Sequence, residues 1–240
     1  SPAGMADKIA EAFTAKTGVD VEMFQGTTGE ILARLEAEQA NPIADVVIMA
    51  SWADGLSMKK DDLLLSYTPA NADKMDAMLY GTSASAVGVI YNTTIVSELN
   101  ADWHELAQNS EYKNELAIPD PVKSGSVKDF LSGYVYKYGD EAWQNLEGMA
   151  DNGMMIPGAN KAALEAVTTG EKGILVAGVD YNAYSSMAKG EPLNIYYPAS
   201  GTVINPRPAM ILKSSKNVDN AKAFMDFLLS YEGQQLVVDA

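Results

Sequence analysis

Three short segments put hydroxyl or amide side chains where a predicted strand gives way to a predicted helix: Thr27-Thr28-Gly29, Ser124-Gly125-Ser126 and Asn160. A helix start presents backbone N–H groups without intrahelical partners and a partial positive charge, so it can seat an anion. Ser, Thr and Asn are also the usual helix caps, which leaves capping as the alternative at each segment taken singly. Three such segments together form a pattern, because ligands of open α/β sheets collect at the carboxyl ends of strands.

A second cluster is Asp180-Tyr181-Asn182-Ala183-Tyr184, following an apolar strand that ends in Gly178. Its two phenols, three residues apart, share one side of a helix. Phenolate oxygens suit a hard metal ion, and phenol hydroxyls suit a phosphate or a sugar; packing against a sheet is the plain alternative. Trp52 ends the apolar run before it and either walls a cleft or joins the core. Tyr196-Tyr197-Pro198 alternates on a predicted strand, which turns one phenol inward, and packing is the expectation for both.

Other chemistry is excluded. His104 is the sole histidine and no Gly-x-Ser-x-Gly occurs, so neither a serine-hydrolase triad nor a histidine-rich metal site can be assembled. His104 reads as a helix-surface residue. Cysteine is absent, which removes disulfides, thiolate metal sites and a thiol nucleophile. Gly26-Thr27-Thr28-Gly29 lacks the Gly-Lys-Ser/Thr of a phosphate loop, and no Gly-x-Gly-x-x-Gly is present. Asn92-Thr93-Thr94 fits a glycosylation acceptor, a triplet common by chance. The net charge of −15 argues against nucleic acid and anionic membrane as partners. No apolar run reaches the ~18 residues of a membrane span.

The elements that must position these groups follow an α/β rhythm. Met5, Ile9 and Phe13 define a helix over 3–16, with Ser1 as its candidate N-cap, Pro2 in its first turn and Gly18 at its end. Strands are expected at 19–24 and 44–50 around a helix carrying Ile31, Leu32 and Leu35, and Pro42 breaks that helix. Further strands are expected at 86–92, 116–119 and 173–178, with helices opening at Ser124, at Asn160 (to about Thr169) and at Asp180. Near the end, 201–205 and 209–212 read as strands on either side of Pro206-Arg207-Pro208. A helix over 217–230 is marked by Ala221, Phe224, Met225 and Leu228. Strands alternating with helices predict a parallel sheet covered by helices. The 240 residues suffice for one large domain or two lobes with their own cores, and no flexible linker separates them.

In this order, several runs resemble the periplasmic solute-binding proteins of the ferric-ion and phosphonate type. They are Phe24-Gln25-Gly26-Thr27-Thr28-Gly29-Glu30-Ile31-Leu32-Ala33-Arg34-Leu35, Ala44-Asp45-Val46-Val47, Ser83 to Asn92, Ala117-Ile118-Pro119-Asp120-Pro121, Gly178-Val179-Asp180-Tyr181 and the tail from Lys216 to Gln234. The likeness covers nearly the whole chain. It implies an α/β, two-lobed type 2 periplasmic-binding-protein fold, each lobe a mostly parallel sheet flanked by helices, with two hinge strands and a ligand cleft between the lobes. Residues 1–86 with 205–240 would form lobe one and 87–204 lobe two, and a strand would stand immediately before Ser1. The resemblance also implies a non-enzymatic, cofactor-free monomer in the periplasm or outside the cell, with a lipid anchor as a variant. Its partners would be a small anionic ligand and the permease of an ABC importer.

Ferric binders of this type use adjacent tyrosines where this chain has Asp180-Tyr181, and an arginine near the segment matching Ala84-Ser85-Ala86. Here the tyrosine pair is broken, the arginine is missing, and lobe one has no histidine. Ser124-Gly125-Ser126 and Asn160 stand where the family holds its anion. The expectation is therefore a phosphate- or phosphonate-bearing organic solute. The residues assigned to it are Ser1, Thr27, Thr28, Gly29, Trp52, Ser83, Ser124, Gly125, Ser126, Asn160, Asp180 and Tyr181. Ferric ion on Tyr181 and Tyr184 with a synergistic anion is the alternative. A ligand-sensing partner of a membrane receptor is a further one.

Overall fold

A computed structural model of the chain describes residues 4–72 and 75–239. Ser1, assigned above to the ligand and to a helix cap, lies outside the described residues. In chain order the elements are α1 (Met5–Thr17), α2 (Thr28–Ala37), β1 (Val46–Ile48), α3 (Trp52–Lys60), β2 (Tyr80–Asn92), α4 (Trp103–Gln108), β3 (Leu116–Ala117) and α5 (Gly125–Tyr138). They continue with α6 (Asp140–Asp151), α7 (Asn160–Thr168), β4 (Ile174–Val179), α8 (Asp180–Ala188), β5 (Leu193–Tyr196), β6 (Ile204–Ile211), α9 (Val218–Leu228) and α10 (Tyr231–Val238). The chain divides into two compact units, Ser1–Ala84 with Pro206–Ala240, and Ser85–Asn205. The chain passes from one to the other within β2 and returns within β6.

In the first unit, β1 pairs antiparallel with β6 through Val46–Ile211, Val47–Met210 and Ile48–Ala209. The apolar stripe of α1 buries Met5, Ile9 and Phe13, and the Phe13 ring lies 5.2 Å from Phe224 and 5.7 Å from Phe227 of α9. Gly18 ends α1 at φ 74°, a left-handed turn that glycine adopts without strain. The N-cap of α1 is Gly4.

Two strand expectations are corrected. Residues 19–24 form no strand, because alternation alone does not make one: the segment pairs with no strand among the described residues. The two strands expected around Pro206-Arg207-Pro208 are one, β6. Prolines two apart forgo N–H groups on the same side of a strand and leave the other side's ladder intact.

In the second unit β2 pairs antiparallel with both β4 and β5, whereas β3 runs parallel to β4 through Leu116–Ile174 and Ala117–Leu175. With β1 and β6 also antiparallel, the expectation of mostly parallel sheets is corrected to mixed ones, because strand–helix alternation does not by itself fix strand direction. A parallel bridge joins Ala117 to Met155. Segment 155, β3 and β4 thus point the same way, and each leads into a helix: α7, α5 and α8 respectively. That shared direction gathers three helix starts at one edge of the sheet. The core beneath them is built on Val87, Val89, Trp103, Leu106, Leu116, Phe130, Tyr134, Ile174 and Val176.

α4 is held by a capping box between Asp102 and Glu105. The Asp102 carboxylate also accepts from the Ser200 hydroxyl at 2.6 Å, the Ser200 N–H at 3.1 Å and the Trp103 N–H at 2.7 Å. Burial pushes its pKa up, but these hydrogen bonds outweigh it and hold the carboxyl below the usual aspartate value. A depressed folded pKa contributes stability above the unfolded value, near pH 4, and the contribution is lost as pH falls through that range. Asp102→Ala should therefore cost about 0.5–2 kcal/mol at pH 7. Chemical denaturation at a series of pH values should show the gap between variant and wild type closing below about pH 4.

Candidate ligand-binding site

Ser124 caps α5 by accepting the Val127 N–H at 3.3 Å. Asn160 is the first residue inside α7, whose N-cap is Ala159, and its side chain makes no cap. Its carboxamide reaches instead to α5. Asn160 Oδ1 accepts from Ser124 Oγ at 2.7 Å, Asn160 Nδ2 donates to Ser126 Oγ at 3.1 Å, and the two serine oxygens stand 3.1 Å apart. The backbone ties the same two helix starts, with Asp120 N–H donating to the Gly158 carbonyl at 2.7 Å.

Proton bookkeeping assigns the roles in this triangle. Ser124 has one hydroxyl proton, and it goes to Asn160 Oδ1, which has none to give. Ser126 must therefore be the donor in the contact between the serines. Ser124 is then saturated. Ser126 can turn its proton elsewhere at the loss of one neutral hydrogen bond, and Asn160 Nδ2 has a second hydrogen. Together with the N–H groups opening α5 and α7, these are donors without a competing carboxylate in the triangle.

Asp180 opens α8 at the end of β4. Its Oδ1 accepts the Tyr181 N–H at 2.7 Å, and its Oδ2 accepts the Ala86 N–H of β2 at 2.8 Å. Just before it, β4 carries one residue more than β2 between the Gly88–Gly178 and Ile90–Leu175 pairs, and Ala177 takes φ 57°. A left-handed alanine costs roughly 1–2 kcal/mol. The extra residue reverses the side-chain alternation and so decides which face of the sheet receives Asp180.

Tyr181 is half-buried against the core of the second unit. Tyr184 is exposed, and its hydroxyl lies 3.1 Å from that of Tyr197. Tyr184 and Tyr197 thus bring two phenol hydroxyls together. Burial, the Tyr184 hydrogen bond and the nearby charges of Tyr184 and Asp180 all push the Tyr197 pKa up, away from the phenolate a metal would need. Among the described residues no three His, Cys, Asp or Glu side chains are grouped to hold a metal ion.

The remaining predicted residues belong to the first unit. Thr27 caps α2 in a reciprocal pair with Glu30: Glu30 N–H donates to Thr27 Oγ1 at 3.3 Å, and Thr27 N–H donates to Glu30 Oε2 at 2.7 Å. Thr28 is buried and Gly29 follows it in the first turn. Trp52 does not end a strand: it opens α3 after its cap Ser51 and packs, half-buried, against the core cluster that contains Val47, Met49, Met58 and Leu79. Ser83 lies on β2, half-buried. An open groove of about 500 Å³ in the second unit, lined by Glu98, Asn100, Ala101, Glu105, Gln108, Asn109 and Tyr112, shares no residue with the predicted set. Its two carboxylates oppose an anion. Among the described residues no helix is long and apolar enough to cross a membrane.

The chain has the fold of the type 2 periplasmic binding proteins. It aligns with the periplasmic binding protein AfuA of Actinobacillus pleuropneumoniae, solved with exogenous fructose-6-phosphate bound, at a TM-score of 0.90 and 24% identity, covering 100% of this chain and 80% of that one. It is 25% identical over 250 residues to iron uptake protein A1 of Synechocystis, covering 95% of this chain and 69% of that protein. It is 27% identical over 240 residues to a Salmonella typhimurium periplasmic protein provisionally named for 2-aminoethylphosphonate binding, with coverage of 95% and 69%. A sequence model of the bacterial extracellular solute-binding proteins matches residues 41–240, and the chain belongs to that family. Membership implies a periplasmic location and a permease as partner.

Proposed function

We propose that this solute-binding protein captures a small organic solute bearing a phosphate or phosphonate group and presents it to its permease unchanged. The observation that carries the reading is the Ser124–Ser126–Asn160 triangle across the starts of two helices. Hydrogen-bond donors converge there, and phosphate oxygens are suited to such an array of N–H and O–H groups at helix N-termini. The fructose-6-phosphate bound to AfuA agrees with this class of ligand. Thr27, Thr28, Gly29, Trp52 and Ser83 of the first unit are proposed as further ligand-binding residues.

Ferric ion is the second reading, favoured by the Tyr184–Tyr197 hydroxyl pair and by the name of the Synechocystis relative. The raised pKa of Tyr197 counts against it. Thermal-shift measurements on extensively dialysed protein separate the two. Glucose 6-phosphate or 2-aminoethylphosphonate at 100 times its Kd should add about 2.7 kcal/mol of stability. That corresponds to a rise of roughly 5–10 °C in Tm for a chain of this size. A rise only with ferric ion and carbonate, accompanied by a visible tyrosinate-to-iron absorption band, would reverse the order.

A further inference from the structure

Within the second unit, three buried polar atoms make no hydrogen bond among the described residues: Ser85 Oγ, Asn205 Nδ2 and Asn205 Oδ1, each presenting less than 1 Å² to solvent. Ser85 is 5% and Asn205 1% exposed. They stand together. Val87 N–H donates to the Val203 carbonyl and Thr82 Oγ1 donates to the Arg207 carbonyl, so β2 and β6 run antiparallel here. Two residues on from the Val87–Val203 bond, Ser85 and Asn205 face each other across the strands. Facing residues of such a pair put their side chains on one face, about 5 Å apart. The residue after Ser85, Ala86, donates its N–H to Asp180 Oδ2, which joins this point to the start of α8.

Buried polar groups are almost always paired, because an unpaired one forfeits its hydration for nothing. Two neighbouring residues that both break the rule mark a place whose partner is supplied from outside the chain. The unfilled atoms state what that partner is. Asn205 lacks both a donor's and an acceptor's counterpart, and a serine hydroxyl both gives and takes. An anion would leave Asn205 Oδ1 facing negative charge, with the Asp180 carboxylate close by. A cation would leave Nδ2 facing positive charge. Only a neutral group that both donates and accepts fills the set; water and an alcohol hydroxyl are the two simplest, and a ligand hydroxyl can replace a water there bond for bond.

We propose that Ser85 and Asn205 form a second subsite that reads hydroxyl groups on the carbon skeleton of the solute, making the ligand a polyol or sugar phosphate rather than inorganic phosphate, an aminoalkylphosphonate or a metal ion. The proposal rests on the anion seat at Ser124, Ser126 and Asn160 for the other end of the ligand. Because the three atoms are sealed here, the neighbouring side chains must part to admit the hydroxyls.

The test is calorimetric titration of dialysed protein with glucose 6-phosphate, n-hexyl phosphate, inorganic phosphate and free glucose. A site built around hydroxyls rejects an analogue without them, so glucose 6-phosphate should bind at least about 100-fold tighter than n-hexyl phosphate. Asn205→Leu and Ser85→Ala should each shrink that ratio while leaving inorganic phosphate affinity unchanged. Asn205→Leu should not lower the Tm of the unliganded protein, since it buries no unpaired group. Equal binding of the two six-carbon phosphates, a ratio that survives both substitutions, or a Tm several degrees lower in Asn205→Leu would each overturn the proposal. If no phosphate compound binds but glucose does, and Asn205→Leu abolishes it, the anion seat fails and the hydroxyl subsite stands.

Discussion

Replacing Trp103 by alanine should cost about 3–5 kcal/mol, the usual range for emptying a buried aromatic site. Trp103 is 2% exposed, its ring centroid lies 4.7 Å from that of Phe130, and its indole N–H donates to the Gly201 carbonyl at 2.9 Å. Phe130 in turn stacks on Tyr134, and Tyr134 meets Tyr138 edge-on, so one indole supports an aromatic run along most of α5. Alanine would leave a cavity the size of the ring system and a carbonyl without its donor. Phenylalanine keeps most of the volume and loses chiefly the hydrogen bond, a net cost of about 0.5–1.5 kcal/mol. Denaturant titrations of the two variants measure both. A Trp103→Ala loss no larger than that of Trp103→Phe would mean the pocket collapses freely, and α5 would not depend on it. Since folded domains hold only about 5–15 kcal/mol in all, the larger loss should also weaken ligand capture by populating states in which α5 is loose.

Trp103 also shows what kind of information the amino-acid order holds. The stretch Asp102 to Leu106 draws attention for its histidine, yet His104 is exposed and its neighbour is the centre of a core. Helices with a repeating apolar stripe, such as α1 and α9, are legible because burial of one face imposes the spacing of Met5, Ile9 and Phe13 or of Ala221, Phe224, Met225 and Leu228. Strands are less so. Residues 19–24 have the alternation without a partner strand among the described residues, and β6 has the partner in spite of two prolines. The Ser124 cap is visible from its type and place. That Asn160 leaves the cap to Ala159 and bonds across to α5 is not, because it depends on two loops held 38 residues apart by the Asp120–Gly158 hydrogen bond. Ser85 and Asn205 are less legible still. Nothing local distinguishes a serine that finds a partner from one that does not; the pairing of strands 120 residues apart decides it.

The seat makes an ordered prediction about its three side chains. Ser126→Ala removes the one hydroxyl able to turn toward a ligand, while Ser124 keeps its cap and its bond to Asn160. A hydrogen bond to a charged group is worth about 1.5–3 kcal/mol, so affinity for a phosphate-bearing solute should fall roughly 10- to 150-fold. Stability should change little. Ser124→Ala has the opposite profile: it loses the α5 cap, about 1 kcal/mol, and affects binding only through the orientation of Asn160. Asn160→Asp is the most severe for binding. It exchanges the Nδ2 donor for a second carboxylate oxygen beside Ser126 and sets a negative charge at the mouth of two helices, where it satisfies the very N–H groups a phosphate would need. Binding should then fall below detection at millimolar ligand while the fold persists, because an acidic side chain is itself favourable at a helix start. Titration calorimetry beside thermal melts distinguishes the three profiles. If Ser124→Ala proves the most damaging to affinity and Ser126→Ala is silent, the proton is not donated from Ser126, and the assignment of roles in the triangle is wrong.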